Sequence, residues 1–212
     1  MVGIVFATMR EAQPFLSQTE AERLTNRPLI IYGVGSASLT PCIVAISGMG
    51  KVAAAMAAAH LVIDRRVDAL ISAGLCGRLT PESHRAVGDL FRITAAVEGD
   101  CDRFGKGEPE VTCDPTWFGD RVGARLVTCD RPVFDEDRRA RLAELGEVAD
   151  MEGAAVARVA ASYGITCAMI KGISDTADEN GRRSVADNID WVSARIADAL
   201  VDELTAHQQK RT

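Results

Sequence analysis

Short apolar runs alternate along this chain with segments whose apolar residues recur at steps of three and four, a pattern that predicts strands alternating with helices. Val2 to Ala7 is short, rich in β-branched residues and followed by polar ones, which predicts a buried first strand. Leu29 to Tyr32 and Cys42 to Ile46 predict the next two. Lys51 to Arg65 carries six alanines in its first nine residues, with Val52, Met56, Leu61 and Val62 apolar, and predicts a helix packed closely on a sheet. Asp68 to Ala73 then predicts a strand entering a turn at Gly74-Leu75-Cys76-Gly77. Gly88 to Val97 and Gly123 to Cys129 predict two further strands. Between them, Glu98 to Asp120 holds acids, four glycines, Pro109 and Pro115 without periodicity, and predicts a long loop. Asp135 to Leu145 predicts a short charged helix, Ala154 to Ser162 an Ala/Val helix, and Ala168 to Ile173 the last inner strand. From Ser184 to His207, the residues Val185, Ile189, Val192, Ile196, Leu200 and Leu204 form the apolar stripe of an amphipathic helix. The class is α/β with a mixed central sheet. At 212 residues, with no repeat or low-complexity linker, the chain is read as one domain, 1–212.

Charge narrows the function classes. A net charge of −6 and no Lys/Arg run longer than two leave no phosphate-backbone footprint, which argues against nucleic-acid binding. The apolar start breaks at Arg10 and Glu11 and lacks a basic leader region, and no apolar stretch reaches the roughly 20 residues of a membrane span. A soluble, cytoplasmic protein is expected. Cys42, Cys76, Cys101, Cys113, Cys129 and Cys167 form no CxxC pair, and His60, His84 and His207 lie far apart, so neither a metal site nor a disulfide framework is indicated. Of these, His60 reads as a surface or partly packed residue of the Ala-rich helix.

Acids at strand ends carry the candidate chemistry. Asp150-Met151-Glu152-Gly153 follows the apolar pair Val148-Ala149, and Ile173-Ser174-Asp175-Thr176-Ala177-Asp178 follows Cys167 to Ile170. The spacing places the two groups of acids at the ends of neighbouring strands, where an open α/β sheet binds its ligands. Two carboxyls facing one crevice suit acid/base catalysis. Singly, each has a plainer reading: Glu152 as a helix N-terminal acid, Asp175 as a cap. Ser47-Gly48-Met49-Gly50-Lys51, ahead of the Ala-rich helix, is a strand-to-helix turn offering backbone N–H groups to an anionic or hydroxyl-rich ligand. It lacks the third glycine or the Gly-Lys-Ser/Thr ending of the dinucleotide and Walker motifs, and tight turn geometry alone explains its glycines.

In order along the chain, Gly3-Ile4-Val5 with Met9-Arg10-Glu11, Ser47 to Ala55, Ser72-Ala73-Gly74-Leu75-Cys76-Gly77, Val87-Gly88-Asp89, Asp150 to Ala155 and Ile173 to Asp178 resemble the nucleoside phosphorylase/nucleosidase superfamily. The likeness runs nearly end to end and is nearest to the bacterial 5'-methylthioadenosine/S-adenosylhomocysteine nucleosidases, with Ser-Asp followed by Ala-Asp as its most specific part. It implies a three-layer α/β/α, phosphorylase/hydrolase-like fold and hydrolysis of a purine nucleoside's N-glycosidic bond. Asp175 then becomes the general acid at N7 of the base, oriented by Ser174. Glu152 accepts from the ribose hydroxyls, Met151 lies against the sugar, and Glu11 activates the water. Further substrate contacts fall on Met9, Met49, Leu75, Cys76, Gly77, Val133, Asp150, Lys171 and Ala177. The resemblance implies a homodimer and a small-molecule nucleoside substrate, with no cofactor and no metal.

The chain departs from that pattern at three positions. Leu75 stands where the family often has a small hydroxyl residue, Lys171 where it has an arginine, and Val185 where an aromatic residue lines the 5' pocket. Other 5'-substituted substrates, futalosine or other adenosyl conjugates, stay open on these grounds. A phosphorylase is a rival, with Arg10 and Arg78 near the relevant loops, although Ser72 and Leu75 occupy places where phosphorylases contact phosphate. A non-catalytic nucleoside binder is a second rival. The exposed-looking Trp117-Phe118 fits either an interface or a cover for its own core.

Overall fold

In a computed structural model, the chain is described at residues 1–80, 85–103, 106–107 and 110–210, without the side chains of 102–103 and 106–107. His84 lies outside the described residues. The strands are β1 (Val2–Phe6), β2 (Glu22–Thr25), β3 (Ile30–Val34), β4 (Cys42–Ile46), β5 (Ala69–Arg78), β6 (Leu90–Glu98), β7 (Asp102–Arg103), β8 (Lys106–Gly107), β9 (Val111–Thr112), β10 (Gly123–Thr128), β11 (Val148–Asp150) and β12 (Thr166–Asp175). The helices are α1 (Met9–Gln18), α2 (Lys51–Arg65), α3 (Glu136–Ala143), α4 (Gly153–Tyr163) and α5 (Gly181–Gln209).

One mixed sheet runs in the order β11-β10-β6-β12-β5-β1-β4-β3-β2, with β9 added to β6. Strands β4, β1, β5 and β12 are mutually parallel, whereas β12 meets β6 and β11 meets β5 antiparallel. Alternation sorts the side chains. Val2, Ile4 and Phe6 of β1 and Ala69, Ile71 and Ala73 of β5 join α1 and α5 in one core, while Val5 and Leu70 join α2 and α4 in the other. The expected three layers follow. Alanine at positions 54, 57 and 58 of α2, all buried, lets that helix lie close to the sheet. Among the described residues no helix is long and apolar enough to cross a membrane.

Several expectations are corrected. The segment Gly74 to Gly77 is no turn: β5 runs through it to Arg78, pairing Gly74 with Lys171 and Gly77 with Asp175 across to β12. The glycines there serve close packing. A Cβ on Gly74 would sit 2.9 Å from Glu11 Oε1, and one on Gly77 2.9 Å from Asp175 Oδ1. The strands ending at Asp150 and Asp175 are not neighbours, because β5 pairs with both and separates them. The long loop is partly sheet, since Val111 and Thr112 pair with β6. Trp117 and Phe118 are buried, with Trp117 stacked on His207 at 4.3 Å between ring centroids, so they cover their own core. Helix α1 is not among the elements predicted from the sequence, and Pro14 lies inside it. It forms nonetheless: Thr8 and Glu11 make a reciprocal capping box, and Ala12, Phe15 and Leu16 are buried.

Candidate active site

A cavity of about 480 Å³ opens where the carboxyl ends of β1, β4, β5, β10, β11 and β12 converge. That size falls in the range of small-molecule sites, at the place where open α/β sheets bind them. Its lining includes Thr8 and Glu11 after β1, Met49 after β4, and Leu75, Cys76 and Gly77 of β5. Pro132 to Phe134 follow β10, Ala149 to Glu152 and Ser174-Asp175 close the far side, and Arg182, Val185 and Ile189 come from α5.

Asp175 owes its place to a bulge. Strand β12 pairs Ile173 with Cys76 and Asp175 with Gly77, so Ser174 is an extra residue opposite the partner strand. Such a bulge re-aims the side chains at a strand end. The Asp175 carboxyl accepts from Ser174 Oγ at 2.7 Å and from the Ala177 N–H at 2.9 Å. Burial pushes it above the ordinary carboxylate value, against the pull of those two donors. Asn188 of α5 donates to the Ser174 carbonyl at 2.9 Å and holds the bulge from behind.

Glu11 is 8 % exposed, and both its carboxylate oxygens are engaged. Oε2 accepts from the Thr8 N–H at 2.9 Å and the Thr8 hydroxyl at 2.8 Å, and Oε1 from the Leu75 N–H at 3.2 Å. The Leu75 contact is through backbone, so the side-chain departure there does not remove it. Glu152 begins α4 and accepts from the Gly50 N–H at 2.8 Å. The glycine turn thus offers its amide to an anion of the protein itself. Gly48 and Gly50 both have positive φ, at 88° and 97°, a conformation that suits glycine. Burial, and then the neighbouring Asp150 charge, push Glu152 up to about 7.

Behind this rim lies a buried ion pair. Lys171 Nζ is 2.8 Å from Asp150 and donates to Ser72 Oγ at 3.1 Å. Asp150 also accepts from Thr128 Oγ1 at 2.6 Å and from the Gly153 N–H at 2.9 Å, which caps α4. Burial opposes the Lys171 charge, but Asp150, Glu152 and Glu11 outweigh it and raise its affinity for the proton. Lysine in place of the family's arginine therefore keeps a cation among three acids, as a point charge without a planar fork.

The structure brings Glu11, Met49, Leu75, Cys76, Gly77, Val133, Asp150, Met151, Glu152, Ser174 and Asp175 to one cavity. Met9, Lys171 and Ala177 do not reach its wall. Met9 packs into the core beside Tyr32, Lys171 backs Asp150, and Ala177 supplies an N–H to Asp175 from a buried position. Cys76 lines the cavity as a neutral thiol, because burial pushes its pKa up. Thr8, Phe134, Arg182 and Ile189 were missed. The Thr-x-x-Glu spacing of the capping box signals Thr8; nothing local in the sequence signals Phe134 or Arg182. No group of three His, Cys, Asp or Glu among the described residues has metal-binding geometry.

A family model described as the Phosphorylase superfamily matches residues 1–206. The chain belongs to that superfamily. Similar curated proteins include a 5'-methylthioadenosine/S-adenosylhomocysteine nucleosidase of Geobacillus kaustophilus, 29 % identical over 190 residues, covering 78 % of this chain and 80 % of the relative. An aminodeoxyfutalosine nucleosidase of Helicobacter pylori is 24 % identical over 187 residues, covering 76 % and 80 %. Among solved structures, the S. pneumoniae 5'-methylthioadenosine/S-adenosylhomocysteine nucleosidase with a transition-state inhibitor superposes with a TM-score of 0.87 at 23 % identity, over 97 % of this chain and 99 % of that one. A futalosine hydrolase mutant of H. pylori gives 0.86 at 20 %, over 96 % and 99 %. These structures share this superfamily member's fold.

Proposed function

We propose that this chain hydrolyses the N-glycosidic bond of a 5'-substituted adenine nucleoside, of the methylthioadenosine or S-adenosylhomocysteine type. The observation that carries the reading is the set of three carboxyls, Glu11, Glu152 and Asp175, facing one nucleoside-sized cavity from three separate strand ends. The nucleosidase relatives support it. In the proposed reaction Asp175, whose affinity for a proton is raised by burial, gives its proton to N7 of the purine as the C1'–N9 bond breaks and the bond's electron pair moves into the base. Positive charge then develops on the ribose. Ionised Glu152 stabilises it while accepting from the 2'- and 3'-hydroxyls, and Met151 lies beneath the sugar. Glu11 takes a proton from the water that attacks C1'. The products are adenine and a 5-substituted ribose, with one proton passing from Asp175 to the base and one from water to Glu11.

Water rather than phosphate is supported by the charge of the lining. A phosphate dianion needs converging cationic forks. Among the described residues, the cavity wall carries four acids, Glu11, Asp150, Glu152 and Asp175, and one cation, Arg182. Arg10 is turned away into a pair with Asp190 at 2.6 Å, and Arg78 donates to the Arg85 carbonyl. A futalosine-type substrate is the second reading, favoured by the Helicobacter relative and by Val185, which leaves the 5' end wider than an aromatic residue would. A homodimer is supported by α2, whose Val52, Met56 and Ile63 are 73, 60 and 57 % exposed on one stripe. Met49, 70 % exposed, continues the stripe to the cavity rim, where a second copy would close the 5' end.

The test is adenine release from methylthioadenosine, S-adenosylhomocysteine and aminodeoxyfutalosine, with and without inorganic phosphate. Phosphate-independent release is expected, reduced about 10²- to 10⁴-fold in Asp175→Asn, the range for removing a general acid. Release that requires phosphate would overturn the hydrolase reading; nucleoside binding without release would make the chain a binder.

A further inference from the structure

Resting on that nucleosidase reading, we propose that Arg182 is a specificity determinant that recognises a carboxylate at the far end of the substrate's 5' substituent. Arg182, Val185 and Ile189 are spaced by three and four on α5 and together form one wall of the cavity. The other wall-forming charges are the acids Glu11, Asp150, Glu152 and Asp175. An anionic group among those acids would meet like charge, so the place for an anion is the end of the cavity that Arg182 borders.

Arg182 is free to act there. It is exposed and makes no hydrogen bond or ion pair with any described residue. Its surroundings are otherwise tied up: Arg183 is oriented to Asp187, Arg10 to Asp190, and Arg139 to the Thr176 carbonyl. The backbone next to it is constrained as well. Gly181 is buried, and a Cβ there would lie 2.4 Å from the Phe134 ring and 3.3 Å from Asp175 Oδ1, so the first turn of α5 is seated against the acid site. A guanidinium on that turn has a defined origin and a flexible reach. Its planar fork matches a carboxylate in two-point geometry. Val185 and Ile189 would cover the apolar stem of the same substituent, which accounts for an apolar wall with a cation on its outer turn.

The test compares 5'-S-(3-carboxypropyl)-5'-thioadenosine with its neutral isostere, the 3-carbamoylpropyl compound, in the unmodified enzyme, Arg182→Gln and Arg182→Lys. The unmodified enzyme is expected to favour the acid by roughly fivefold or more in kcat/KM, chiefly through KM, with the preference shrinking as salt is raised. Arg182→Gln should abolish the preference and Arg182→Lys retain part of it. Equal rates for the two compounds in the unmodified enzyme, or a preference untouched in Arg182→Gln, would overturn the proposal. Absence of adenine release from both compounds and from methylthioadenosine would refute the nucleosidase reading by itself. The dissociation constants of the same pair, measured by calorimetry, then decide the role of Arg182 by the same ratio; failure of both compounds to bind overturns that role.

Discussion

At the scale of single residues, the cavity holds carboxyls of one chemical type in different surroundings. Asp175 and Glu152 are both pushed upward by burial, but they end in different partnerships: a hydroxyl and an amide for Asp175, a glycine amide and the nearby Asp150 and Lys171 charges for Glu152. A pH dependence follows from Glu152 at about 7. If the ionised form accepts from the ribose, kcat/KM rises with pH on an acid limb near 7. Ribose hydroxyls favour the charged form, so the same limb in kcat should lie at lower pH than in kcat/KM. Full pH profiles of both constants check this, and an acid limb unmoved by substrate would refute the role of Glu152. The linked stability effect has its own sign. The folded state holds the Glu152 proton to higher pH than the unfolded chain does, so this group's contribution to stability declines as pH rises from about 4.5 to about 7. Urea unfolding across that window should show the decline in the unmodified protein and a weaker one in Glu152→Gln.

At the scale of elements, strand ends and helix starts are coupled through buried polar contacts. The Lys171–Asp150 pair joins β12 to β11, and Asp150 in turn caps α4 and bonds Thr128 of β10. Both partners are nearly inaccessible, with side-chain exposures of 2 % and 1 %. Removing one partner leaves the other's charge buried without compensation. Lys171→Met should therefore destabilise the fold by about 3–5 kcal/mol, and the double variant with Asp150→Asn by less than the sum of the two single changes. Equilibrium urea denaturation measures both. The bulge that aims Asp175 is an element-scale device too, since it depends on the register between β12 and β5. The sequence announced the Ser-Asp pair but carried no mark of that register.

At the scale of the whole molecule, the apolar stripe on α2 is expected to bring two copies together over the cavity rims. Met56→Glu, in the middle of the stripe, should convert a dimer to a monomer in light scattering coupled to size exclusion and raise KM for 5'-substituted nucleosides; a monomeric unmodified protein would refute this. The long stripe of α5 shows how far local pattern reaches. Val192, Ile196, Leu200 and Leu204 are in the core as the spacing predicts, whereas Val185 and Ile189, on the same stripe, face the cavity. Periodicity specifies which side of a helix is apolar, and it does not say whether that side meets a sheet or a ligand. The same limit governs the rest. Local propensity and apolar spacing were enough to establish the α/β class, the span of α2 and the acids at strand ends, because those signals are carried by neighbours in sequence. Only the tertiary structure decided that β5 continues through its glycines and parts β11 from β12, that Lys171 turns to Asp150, and that Arg182 borders the cavity. Each of these depends on strand order, register or the packing of residues far apart in the chain, which no local pattern encodes.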